Sequence, residues 1–228
     1  MHSSLPKNFR ATLPSLSCWT LLSFLMCFGV QVHAEPLPIN TDEVVKTAGV
    51  DLSAKKYDEG LSVLAPALQA HPHDPDLLIL KGALLTKKND FDGARICFNQ
   101  VLQVAPDSFP AKYNLGALLA LEHKWDAAIE YYRQLLFEQQ NNELVEYKLL
   151  LLLLHQDSNP ELQAKLFDTD LPTNTPAWYY AKAARCYKAG NTKEAEKYLE
   201  VARNIYGDQT SIFQDELDEV GLNQIQKK

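Results

Sequence analysis

A period of 34 residues constrains this chain more than anything else in it. Tyr57, Phe91 and Trp125 stand 34 apart, and so do Gly60, Ala94 and Ala128. Pro72 and Pro106 keep the same step, as do Gly82 and Gly116. Four registers running in phase mean one supersecondary unit stacked on copies of itself. Such a unit buries its apolar face only against its neighbours, and the stack presents a long surface. The repeat therefore points to binding and not to chemistry.

Each unit reads as two antiparallel helices, A and B. In the second unit, helix A is expected from about Pro75 to Lys88, capped by Asp74, with Pro75 where its missing N–H costs nothing. The Asn89-Asp90 turn breaks it, helix B runs from about Phe91 to Val104, and Ala105-Pro106-Asp107 ends the unit. The third unit repeats this, with helix A from Phe109 to Glu122 and helix B from Trp125 to about Gln139. Gly82 and Gly116 let helix A approach helix B closely. Ala94, Ala128 and Ala195 do the same from helix B, four residues before Phe98, Tyr132 and Leu199. A Gly inside a helix costs about 1 kcal/mol against Ala, so two of them 34 apart imply a packing need.

The outer units are less regular. The first, from about Thr41, keeps Tyr57, Gly60, Leu64 and Pro72 but has a weak helix A around Thr47, Gly49 and Asp51. The fourth begins with Glu143 to His155, continues in a short helix from Pro160 to near Asp168, and leaves through a connector from Thr169 to Thr175. The fifth comprises Pro176 to Ala189, the Gly190-Asn191 turn, and Thr192 to Tyr206. Leu149 to Leu154 is a run of six Leu, far short of the roughly 20 residues that span a bilayer. It is expected to be buried between units three and five, the alternative being partial exposure in a groove. In Ser211 to Val220, Phe213, Leu217 and Val220 share one face, and Asp215, Glu216, Asp218 and Glu219 occupy the other. That pattern predicts a terminal cap with its apolar face on the last repeat and its acidic face in water. An acidic docking helix is the rival reading.

These units resemble tetratricopeptide repeats, whose pattern is an aromatic, Leu-Gly, Tyr, then Ala, a large apolar residue and Pro. Leu115-Gly116, Ala128 and Tyr132 match it, as do Gly82, Ala94, Phe98 and Pro106. Leu78 and Lys112 replace the first aromatic, Leu85 and Leu119 the Tyr, and Gln140 the final Pro of the third unit. The resemblance implies an all-α, right-handed α-solenoid of antiparallel helix pairs. About five units would span residues 41–222, including an irregular fourth over 143–175 and a C-terminal capping helix over 208–222.

In that family the A helices line the concave face, with their second, fifth, ninth and twelfth residues commonly pointing into it. Carried onto this chain, the fifth positions are Val45, Ile79, Tyr113, Tyr147 and Tyr180. The ninth are Gly49, Ala83, Ala117, Leu151 and Ala184, and the twelfth are Leu52, Thr86, Ala120, Leu154 and Tyr187. The candidate peptide-binding groove is thus Ile79, Ala83, Tyr113, Ala117, Tyr147, Leu151, Tyr180, Ala184 and Tyr187. These sets contain no Lys, Arg or Asn, so the family's clamp for a peptide's terminal carboxylate is missing. Tyrosine walls suit an extended or helical segment with apolar anchors, since Tyr offers large area and a hydroxyl at low entropic cost. The alternative is that the tyrosines only pack between neighbouring A helices.

The first 34 residues read as a cleavable export signal. Lys7 and Arg10 precede an apolar stretch from Cys18 to Val30, and Val32-His33-Ala34 offers a small-residue cleavage site. Residues 35–40 would then be a linker and 223–228 a tail. An N-terminal membrane anchor is the alternative, although the stretch is short for a span. Cleavage removes two of the 22 basic residues and none of the 29 acids, leaving a charge of −9. That balance argues against nucleic acid, which demands Lys and Arg for its phosphates. Cys97 and Cys186 lie in non-adjacent units and read as small apolar fillers, Cys97 partly exposed.

No GxSxG, HExxH, P-loop or paired CxxC occurs. His71-x-His73-Asp74 lies in a connector and reads as a solvated turn, so neither a metal nor a cofactor is expected. His123 and His155 end A helices, where the macrodipole favours cations. The expectation is a non-enzyme: an exported, monomeric adaptor or assembly factor that takes another protein's segment in its concave groove. The alternatives are a self-associating subunit of an envelope or secretion complex, and a receptor for a glycan or lipid fragment.

Overall fold

The computed structural model describes residues 40–166 and 175–224; the expected export signal, most of the connector after the fourth unit and the last four residues lie outside them. Five helix pairs follow in order. They are α1 (Thr41–Ser53) with α2 (Tyr57–Ala70), α3 (Pro75–Lys87) with α4 (Phe91–Val104), and α5 (Phe109–Leu121) with α6 (Trp125–Glu138). Next come α7 (Glu143–His155) with α8 (Pro160–Lys165), and α9 (Pro176–Lys188) with α10 (Thr192–Tyr206). A 3-10 turn, Gly207–Thr210, leads into α11 (Ser211–Val220), and a second one, Leu222–Gln224, follows it. Pair mates pack on each other and each pair packs on the next, giving an all-α solenoid.

The turn between A and B recurs to the residue. Lys55, Asn89, His123 and Asp157, each 34 after the last, all adopt a left-handed backbone with φ of 61°, 63°, 59° and 52°. Gly190 takes the same place at φ 84°. The next residue closes the loop by donating its N–H to the carbonyl five residues back, as in Lys56 to Asp51 at 2.8 Å and Ser158 to Leu153 at 3.1 Å. Those bonds satisfy orphan carbonyls at the helix C-terminus, which is why the unit stops where it does. The fourth unit thus keeps the period through Asp157, and its irregularity begins only afterwards.

Helix starts follow the side chains available. Asp74 accepts from the N–H groups of Asp76 and Leu77, Asn142 from Val145, and Asp90 from Gly93. The helix expected to be weak, α1, runs its full 13 residues, capped by Asn40.

α8 has only six residues and packs chiefly on α7, while Arg185 of α9 donates to its Gln163 carbonyl at 2.7 Å. α9 therefore lies directly on α7, and α6 and α11 cover other sides of it. Covered all round, α7 buries Val145 and every residue from Tyr147 to Leu154, as an all-round apolar helix must. The six Leu are buried as expected, and no part of the run faces an open groove. Cys97 departs from expectation: it is 3% exposed, because it points inward beside Phe98 on the buried stripe of α4. Among the described residues, no helix is long and apolar enough to cross a membrane.

Candidate peptide-binding groove

The fifth positions of α5, α7 and α9 meet on one object, and that object is α11. The Tyr113 hydroxyl donates to the Glu216 carboxylate at 2.8 Å, Tyr147 to the Phe213 carbonyl at 3.4 Å, and Tyr180 to the Gln214 side chain at 3.3 Å. Phe213 lies edge-on to Tyr147, with ring centroids 5.6 Å apart, and 5.9 Å from Tyr180. Tyr113, Tyr147 and Tyr180 are consequently buried, as are Ala117, Leu151 and Ala184. Tyr187, also buried, turns instead to helix B, its hydroxyl donating to Glu196 on α10.

The groove changes character along the array. Over α1 and α3, Val45, Gly49, Leu52, Ile79, Ala83 and Thr86 are half-exposed. Over α5, α7 and α9, every corresponding position is buried. The described groove is therefore open in its first two units and filled by the chain's own C-terminal helix in the last three.

α11 does not sit as the sequence pattern suggested. It lies across α7 and α9 instead of capping the last repeat alone, and half of its acidic face is turned inward. Lys148, fully buried on α7, donates to Glu219 at 2.6 Å and to Glu216. Asp215 and Asp218 remain exposed. The physical reason is Lys148 itself: a buried ammonium without carboxylates would be prohibitive, and α11 is the element that brings them. Burial alone would depress the Lys148 pKa, but the charges and hydrogen bonds of Glu216 and Glu219 outweigh it and hold the ammonium above its ordinary range. Burial, followed by the Glu216 charge, pushes the Tyr113 and Tyr147 phenols well up, so both remain neutral donors.

Sequence reasoning missed Lys148 because it falls at the sixth position of helix A, outside the family's groove-facing set. One signal was available. It is the single charge in the stretch Tyr147–Leu154, and an isolated Lys in so apolar a helix requires a carboxylate from elsewhere in the chain.

A second joint lies where the ends of α7 and α11 meet. Trp125 at the start of α6 lies tilted against His155, with centroids 4.4 Å apart, and against His123 at 5.4 Å. Val220 and Glu219 line a small cavity of about 50 Å³ against Trp125 and His123. A separate apolar cleft of about 440 Å³, between α2 and α3, is lined by Leu61, Ala65, Leu68 and Leu85 and by none of the groove residues.

Residues 51–119 match the tetratricopeptide repeat family, a stretch that runs from the end of α1 through most of α5. No curated protein matches the chain in sequence. Among solved structures, a tetratricopeptide repeat protein from Parabacteroides merdae is similar in fold, at TM-score 0.61 and 16% identity. That likeness covers 78% of this chain and 69% of the other. A structure of MamA from AMB-1 is a more distant likeness, at TM-score 0.46 and 19% identity, over 72% of this chain and 90% of that one. The period, the repeated helix-turn geometry and the matched segment agree: residues 51–119 carry the tetratricopeptide-repeat pattern, and the described chain has the fold of such repeats.

Proposed function

We propose that this protein is a non-catalytic scaffold that holds a segment of another protein in its concave groove. The tetratricopeptide fold suggests a protein–protein interaction or scaffold role in general terms. The observation that carries the finer reading is the contrast in exposure along the groove. Ile79 and Ala83 stand half-exposed at the positions where Tyr113, Ala117, Tyr147, Leu151, Tyr180 and Ala184 already hold a helix. The first two units thus offer an apolar floor adjoining a filled one, and a partner segment laid there continues the line of α11. The leader-like residues 1–34 favour an exported setting, in which the protein would act as an adaptor or assembly factor.

The test is capture of partners by the full chain beside an Ile79→Asp/Ala83→Arg variant. Both sites are half-exposed, so the variant is expected to melt cooperatively like the wild type. A protein held by the wild type and lost by the variant supports a site over α1 and α3. Equal capture by both removes the groove from the reading.

Self-association is the second reading, favoured by the exposed apolar residues Val104 and Phe137 near the ends of α4 and α6, 51% and 80% accessible. Light scattering across a concentration series distinguishes it, since a scaffold for other proteins stays monomeric and a structural subunit does not.

A further inference from the structure

We infer that the filled half of the groove is a receptor for acidic amphipathic helices, that α11 is its built-in occupant, and that a partner's helix of the same chemistry takes the place of α11. The inference rests on the scaffold reading and supplies the kind of partner that such a scaffold selects.

Three observations carry it. The first is that α11 stands outside the repeat: the helix pairs pack on one another without it, and it is a ten-residue helix laid across α7 and α9. Elements supported by few neighbours open locally before the rest of a fold does. The second is its attachment. It is joined to α10 through Gly207, exposed, at φ 55° and ψ −128°, and one 3-10 turn. That φ lies in the left-handed half of the map, where glycine is favoured. A glycine at such a joint lets the helix swing without disturbing α10.

The third observation is the floor that α11 covers. Lys148 is fully buried, and its partners are Glu216 and Glu219, three residues apart on one helix face. Along the same floor, the hydroxyls of Tyr113 and Tyr180 donate to the Glu216 and Gln214 side chains. Phe213, Leu217 and Val220 are the buried apolar anchors between those contacts. A vacated groove would present the Lys148 ammonium, the Tyr113 and Tyr180 hydroxyls and an apolar floor, and refilling it would strip the water from that cation again. An incoming helix must therefore bring a carboxylate to Lys148 together with large apolar residues at i, i+4 and i+7, which is the pattern of α11. A basic or neutral helix would leave the ammonium unpaired and be rejected.

Tethering sets the default state. A short linker gives α11 an effective concentration on the order of millimolar, so a free helix competes poorly until the latch is weakened. The apparent affinity for a partner then rises by the factor by which the open state becomes more populated.

The experiment uses the full chain and a fluorescein-labelled peptide of residues 208–224. Phe213→Ala/Leu217→Ala weakens the latch without altering the floor. This variant is expected to bind the peptide at least tenfold more tightly than the wild type. A peptide carrying Glu216→Lys/Glu219→Lys should not bind, and adding Lys148→Met to the variant should cost at least tenfold. A variant that melts cooperatively but binds no better than wild type overturns the inference, as does binding indifferent to Lys148. A dimer formed by exchange of α11 between copies, seen by light scattering, also overturns it by making the occupant a second copy. Hydrogen exchange on the wild type gives an independent reading that needs no variant. Amides of α11 should exchange well before those of α7 and α9, and exchange only together with them overturns the inference. Loss of this site leaves the scaffold reading standing, because that is tested at Ile79 and Ala83.

Discussion

The Lys148 ammonium donates to the Glu219 carboxylate at 2.6 Å, tying the middle of α7 to a helix 71 residues further along the chain. Glu216 completes the arrangement, and the burial is unequal: Lys148 is wholly enclosed, whereas the side chains of Glu216 and Glu219 keep 12% and 20% of their exposure. That asymmetry decides which half can be removed. Stripping the carboxylates with Glu216→Ala/Glu219→Ala leaves an ammonium buried without a partner, at about 3–5 kcal/mol. Lys148→Met fills the same volume with an apolar chain and leaves two carboxylates that rehydrate with little movement, so its cost should be smaller. Urea denaturation followed by circular dichroism checks the order; a Lys148→Met variant less stable than the double-alanine variant would contradict it.

Two glycines on A helices are expected to respond oppositely to the same substitution. A Cβ on Gly82 would stand 2.5 Å from the ring of Phe98, which is fully buried and cannot withdraw. Overpacking of that kind costs about 1–3 kcal/mol, more than the helix propensity that Ala returns. A Cβ on Gly49 would meet nothing within 4 Å, so Gly49→Ala keeps the propensity gain of up to about 1 kcal/mol. Thermal melts of the two single variants should therefore move in opposite directions.

The packing role of Gly82 is legible in the sequence itself, because a helix-breaking residue repeated after 34 positions has to be answering a contact. The same logic reaches the helix limits and the turns at Asn89 and Gly190, all of which are set by neighbours close in sequence. What the period does not convey is where α11 goes. A helix pattern states which face is apolar and says nothing of which surface covers it, and Phe213, Leu217 and Val220 would fit the end of α10 or the floor formed by α7 and α9 equally well. Position rules place Tyr113, Tyr147 and Tyr180 toward the concave side, but whether water, a partner or the chain itself lies there is a long-range matter. Lys148 decides it, through a pairing with Glu216 and Glu219 that no 34-residue window contains.

Alkaline pH should release α11. Lys148 is held above its ordinary value of 10.5, and Tyr113 and Tyr147 lie well above 10.0. In all three cases the folded chain keeps a proton that the unfolded chain gives up first. The folded state then binds more protons once the pH passes about 10, and stability falls as the pH rises further. The lysine contribution is fully present below pH 10.5 and is lost as the pH climbs through its raised folded value. A spectrophotometric titration of phenolate absorbance should show the buried tyrosines ionising late and in one step with the loss of ellipticity. Early, independent ionisation of all ten tyrosines would show that the groove is not sealed.

Acid should act at the other end of the same helix. His155 ends α7 against Trp125, and desolvation, followed by the charges of Lys188 and His123, lowers its pKa below 6.5, while the Val220 backbone and Asp157 pull the other way. Lys188 and Asp157 are themselves paired at 2.8 Å, which tempers both of their effects. A depressed imidazole is neutral in the folded chain, so the unfolded chain takes up the proton first as the pH drops. Unfolded chains then bind more protons than folded ones, and stability declines from about pH 6.5 downward until the folded imidazole is charged as well. Replacing the ring by an amide, in His155→Gln, removes this contribution while keeping a polar group at the helix end. The fall in melting temperature between about pH 7.5 and 5.5 should be smaller in the variant than in the wild type. An unchanged or larger fall would assign the acid sensitivity to carboxylates elsewhere on the array.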